Sequence, residues 1–80
     1  MTPGYADMVL KSLRDVGASD RLSSLDFSIL ANWHEEKVPA FVVCRGIEAV
    51  KKKHAEGKPL RYFWSSVGES IRAWRKAQTL

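Results

Sequence analysis

The chain has 80 residues and a mass of 9.0 kDa, 45% of it hydrophobic and 28% charged, which suits one small domain and excludes a second core or a disordered tail. Its net charge of +4 is uneven: residues 51–80 hold eight lysines and arginines against two acids, and residues 1–50 hold five against seven. One cysteine, Cys44, excludes an internal disulfide and a Cys-rich metal framework, and no apolar run reaches the roughly 18–20 residues that a membrane span needs.

Thr2-Pro3 followed by Tyr5, Met8, Val9, Leu13 and Val16 predicts a first helix over residues 3–16, with Thr2 as N-cap, Pro3 in the first turn and Gly17 as the stop. A polar loop, Gly17 to Arg21, leads to Leu22-Ser23-Ser24-Leu25-Asp26-Phe27. That segment has the form of a capping box, Ser23 and Asp26 each bonding the other's backbone, with Leu22 and Phe27 placed to close a hydrophobic staple.

The second helix, residues 24–36, carries Phe27, Leu30, Trp33 and His34 and stops at Lys37-Val38-Pro39, because Pro disfavours helical geometry in the residue before it. Pro39 then opens a third helix over residues 39–55, with Val43, Ile47 and Val50 on its apolar face, Phe41, Val42 and Cys44 beside them, and Gly57 as its end. After Lys58-Pro59-Leu60 a fourth helix, residues 60–77, sets Phe63, Val67, Ile71 and Trp74 on one stripe. No strand pattern competes, so the expected architecture is a single all-α domain of four helices spanning residues 1–80. Gly46 and Gly68 lie within helices at a cost of about 1 kcal/mol each relative to Ala; they mark either a close crossing of the last two helices or tolerant surface positions.

The polar side of the fourth helix carries Arg61, Ser65, Arg72 and Lys76, with Trp64 and Arg75 on its shoulder. Guanidinium forks and a hydroxyl suit phosphate oxygens, and Lys51, Lys52, Lys53 and Lys58 extend the basic surface from the end of the third helix. Tyr62-Phe63-Trp64 cannot all point inward; Phe63 belongs to the core, and Trp64 serves either as core-edge packing or as a platform for a base or a partner protein. Behind phosphate binding, the same basic face has two alternative readings, a protein-docking surface and a solvated helix side.

Catalytic and metal signatures are lacking. His34-Glu35-Glu36 begins like a zinc-protease helix, but the position of the second histidine is Val38. Cys44 and His54 stand about 15 Å apart along a helix, so Cys44 reads as a small buried hydrophobe rather than a nucleophile. Glu35 and Glu36 close the second helix, either solvated or paired with basic groups of a neighbouring helix or partner. A helix-turn-helix reading around Pro39 fails as a base reader, because Pro39, Ala40, Phe41 and Val42 offer no side-chain donors.

From Ile29 to Trp74 the order of residues resembles the C-terminal helical domain of DnaD-type bacterial primosome and phage replication proteins. The elements are Leu30 and Trp33 before Glu35-Glu36-Lys37-Val38-Pro39, then Val43 and Gly46-Ile47, a polar link to Gly57, and Phe63, Val67, Ile71 and Trp74. The resemblance implies binding to DNA and replication proteins through the last helix and residues beyond it. The family's Tyr-Ile-Trp signature is matched in its steps of four by Phe63-Val67-Ile71 but not in its residues, and Trp74 follows Ile71 by three.

The expectation is a non-enzymatic cytoplasmic module that binds the phosphate backbone of DNA or RNA without strong sequence specificity, through Lys51, Lys52, Lys53, Lys58, Arg61, Trp64, Ser65, Arg72, Arg75 and Lys76. No cofactor, metal, membrane or small-molecule substrate is expected. The alternative is a protein-interaction module or subunit that docks through Tyr62 and Trp64, and so thin a core also favours self-association.

Overall fold

The structure is a computed structural model that describes residues 3–79; Thr2, the expected first N-cap, lies outside the described residues. Among them the chain forms α1 (Pro3–Asp15), α2 (Ser24–Glu35), α3 (Ala40–Glu48), the single turn α4 (Lys52–Ala55), a 3-10 turn (Leu60–Phe63) and α5 (Trp64–Gln78), with no strand. The all-α expectation is met. None of these helices is long and apolar enough to cross a membrane.

Val9 and Leu13 bury the inward face of α1, while Met8, one position round, stays on the surface. Gly17 ends the helix with φ +78°, its N–H donating to Arg14 O at 3.0 Å and the N–H of Ala18 to Leu13 O at 2.8 Å. That is the paired-bond stop for which glycine is suited. The capping box of α2 forms as predicted: Asp26 N–H donates to Ser23 Oγ at 3.2 Å and Ser23 N–H to Asp26 Oδ2 at 3.0 Å. The staple differs, because Asp26, Leu30 and Trp33 are the inward row and turn Phe27 outward, leaving it exposed beside a half-buried Leu22. At its other end α2 stops on Lys37, whose φ of 61° lets its N–H reach His34 O and that of Val38 reach Trp33 O, at 3.0 and 3.1 Å.

The third predicted helix divides. Continuing α3 beyond Glu48 would carry the row Val43-Ile47 on to Lys51 and His54, and burying those polar groups is costly. The chain instead turns extended at Lys51 (ψ 142°) and re-enters α4, where Ala55 takes the buried place and the lysines stay in water. Gly57 (φ +72°) donates to Gly17 O at 2.9 Å, and Ser19 N–H donates to Lys58 O at 2.9 Å, tying α4 to the end of α1.

The fourth predicted helix divides as well. Leu60 and Phe63 are both fully buried, and three residues per turn superimposes them on one side, which a 3-10 turn achieves and an α-turn does not.

α3 packs against both α1 and α5. At the α3–α5 crossing Gly46 is required, since a Cβ there would lie 2.5 Å from Val67 Cα. Ser66 Oγ donates to Gly46 O and Ser70 Oγ to Val42 O at 2.7 Å. The first of these satisfies a carbonyl at the end of α3, because the N–H of Val50 turns to Ile47 O at 3.2 Å instead. Gly68 serves no such crossing; a Cβ there would meet only Arg72 Nη1, at 3.6 Å. The core joins Val9, Leu13, Leu30, Trp33, Val42, Val43, Ile47, Leu60, Phe63, Val67 and Ile71, with Trp74 packed half-buried at its edge.

Candidate nucleic-acid interface

Trp64 opens α5 and stacks on Trp33, their ring centroids 6.0 Å apart and their planes inclined by 23°. Trp33 is 3% exposed because it continues the inward row of α2, whereas Trp64 is 53% exposed. A buried indole therefore supports a water-facing one.

Gly68, Arg72 and Arg75 follow Trp64 along α5 and line a groove whose other wall is Asn32 of α2 and Glu36, its C-cap. The guanidinium of Arg72 lies against the open side of this glycine, its Nη1 3.6 Å from where a Cβ would stand. Arg75 Nη2 stands 3.9 Å from Glu36 Oε2, both side chains half-exposed, so the pair is a weak one. Arg72 makes no ion pair among the described residues. Ser65 and Lys76 are exposed on the same helix.

Arg61 is placed elsewhere. It lies in the 3-10 turn rather than on α5, and its Nη1 pairs with Asp26 Oδ2 at 3.2 Å while its backbone N–H donates to Asp26 Oδ1, also at 3.2 Å. Asp26 is 1% exposed. Burial pushes its carboxyl up, but the backbone and hydroxyl of Ser23 together with the backbone and charge of Arg61 outweigh that and hold it below the usual carboxylate range. Arg61 is thus a partner of a buried carboxylate, with about half of its side chain still exposed.

The lysine run is also displaced from its expected position. Lys51 caps α4 rather than extending α3, and Lys52 and Lys53 line a separate groove with Arg14, Asp15 and Glu56. Lys58 Nζ sits 5.3 Å above the Tyr62 ring. The basic residues read from the sequence thus stand in the α5 groove, in a lysine cluster beside the end of α1, and in the Lys58-Tyr62 and Arg61-Asp26 pairs.

Comparison with known proteins is silent: no family model, curated protein or solved structure matches this chain.

Sequence reasoning missed Asn32 and the structural position of Asp26. Their i, i+4 partners, Glu36 and Leu30, were the available signals, but neither says which helix lies opposite. Glu36 meets the basic side chain of a neighbouring helix, one of the two alternatives open for it. Cys44 is buried and donates to Met8 O at 3.4 Å, and burial pushes its thiol up, away from a reactive thiolate. Among the described residues no three His, Cys, Asp or Glu side chains gather to hold a metal ion. α3 buries the face from Val42 to Ile47 and packs against both α1 and α5.

Proposed function

We propose that the protein is a non-enzymatic cytoplasmic module that binds nucleic acid through the α5 groove, contacting phosphates with Arg72, Arg75 and Lys76 and stacking an unpaired base on Trp64. The observation that carries this reading is the half-exposed indole of Trp64, held on Trp33 and followed along the helix by two guanidinium groups. Stacking on an aromatic face contributes about 1–3 kcal/mol per base and is indifferent to base identity, and phosphate contacts add affinity without sequence information. The lysines of α4 add long-range attraction, and Ser65 a hydroxyl donor. The resemblance of residues 29–74 to DnaD-type domains supports a place as an accessory of a bacterial or phage replication complex.

Glu36 within the groove favours a second reading, a docking site for a protein that presents both charges to α5 and an apolar side chain to Trp64. Anisotropy titrations of a labelled single strand and its duplex, at about 50 and about 200 mM salt, test the first. Preference for the single strand and steep weakening in salt are expected; affinity indifferent to salt overturns the phosphate model. Loss of a co-purifying protein in an Arg72→Ala/Arg75→Ala variant whose oligonucleotide binding is unchanged selects the second reading.

A further inference from the structure

The wall of the α5 groove opposite Arg72 and Arg75 offers hydrogen-bond acceptors in place of cations. Asn32 and Glu36 form it, one turn apart, on either side of the Trp33 on which Trp64 is stacked. Glu36 follows Trp33 by three residues, a spacing at which side chains are neighbours on a helix surface. Its Oε2 lies 3.9 Å from Arg75 Nη2, and neither Asn32 nor Glu36 makes a side-chain hydrogen bond among the described residues. A carboxylate in a site for phosphates repels them, and its pair with a half-exposed arginine contributes little. It accepts hydrogen bonds and does not donate, so what it takes from a nucleic acid is an N–H of a base.

We infer that Glu36 reads the edge of the base stacked on Trp64 and selects bases that carry an exocyclic amino group over thymine and uracil. The amino group of cytosine donates to a carboxylate, whereas thymine and uracil hold their one edge N–H between two carbonyl oxygens, both of which the carboxylate repels. Arg75 steadies the carboxylate without using all of its lone pairs. The Asn32 amide both donates and accepts, so it suits either kind of edge and adds no choice. This inference rests on the reading of the α5 groove as a nucleic-acid site and supplies the selection that stacking and phosphate contacts leave open.

Anisotropy titrations of labelled oligo-dC and oligo-dT of one length, at mildly alkaline pH where both stay unpaired, test it, with circular dichroism confirming that each variant folds. The two strands bring the same phosphates to the arginines and similar ring faces to Trp64, so a difference in affinity reports the base edge. Wild type is expected to bind oligo-dC about fivefold tighter than oligo-dT or better, and oligo-rC over oligo-rU in the same order, because the contact is to the base and not to the sugar. Glu36→Gln replaces an acceptor by an amide that also donates, and is expected to bring the two affinities together, chiefly by strengthening oligo-dT. Glu35→Gln loses the same charge at an exposed position outside the groove and is expected to keep the preference. Equal affinities in wild type, or a preference that survives Glu36→Gln, overturn the inference and leave the nucleic-acid site standing. A wild type that binds none of the four strands overturns the underlying reading as well.

Discussion

Asp26 and Arg61, 35 residues apart, meet twice: the carboxylate of Asp26 accepts both the backbone N–H and the guanidinium of Arg61. One buried side chain thus caps its own helix through Ser23 and satisfies a first-turn donor of the 3-10 turn that leads into α5. Asp26→Asn removes the charge and one acceptor, and a loss of about 2–3 kcal/mol is expected in urea unfolding. Because folding lowers the Asp26 pKa, its stabilisation is complete above the unfolded value of about 3.9 and disappears as pH falls through the folded value. The gap between wild type and variant is therefore wide at pH 6 and narrows on acidification below about pH 4.

Arg61→Ala and Arg72→Ala separate structure from binding. The first is expected to lower stability and leave the salt dependence of oligonucleotide binding unchanged, since its charge is committed to Asp26. The second is expected to leave the melting temperature near that of wild type and to reduce the slope of log K against log salt by about 0.7 for a single strand. Titrations at several salt concentrations read both.

Gly46→Ala and Gly68→Ala are expected to move stability in opposite directions. The added methyl at position 46 strikes the Val67 backbone at 2.5 Å, forcing α3 and α5 apart at a cost of about 2–3 kcal/mol. At position 68 it meets only the end of a flexible arginine, so helix propensity dominates and a gain approaching about 1 kcal/mol is expected. Thermal melts by circular dichroism check the pair.

Lys37 holds a left-handed conformation, φ 61°, where side chains are disfavoured, with both stop-motif bonds already formed. Lys37→Gly relieves that strain at the cost of a more flexible unfolded chain, for a net gain of about 0.5–1 kcal/mol. A rise in the melting temperature is the expected reading.

The Tyr5 hydroxyl is buried without a hydrogen-bond partner, and its ring stands edge-on to His34 at 4.9 Å. Tyr5→Phe keeps the ring contact and removes the unsatisfied group, so stability at neutral pH is expected to hold or rise by up to about 1 kcal/mol. Burial, reinforced by Cys44, pushes the tyrosine pKa up to about 12. Its contribution is thus intact below the unfolded value of about 10 and lost as pH rises toward the folded one. The variant lacks that alkaline loss, which urea titrations between about pH 9 and about pH 12 detect.

Local pattern alone determined the helical class, the capping box at Ser23, the stops at Gly17 and before Pro39, and the inward stripe Phe63-Val67-Ile71, because each depends on residues within a few positions of one another. Tertiary structure decided where helices break and which charges are free. Lys51 leaves the path of α3 because the core would otherwise bury it, and Arg61 is paired because α2 brings Asp26 against the 3-10 turn. The same folding that pairs Arg61 seats Trp64 on Trp33 and sets both beside Arg72 in one groove, since side chains 31 residues apart in sequence meet only when helices pack.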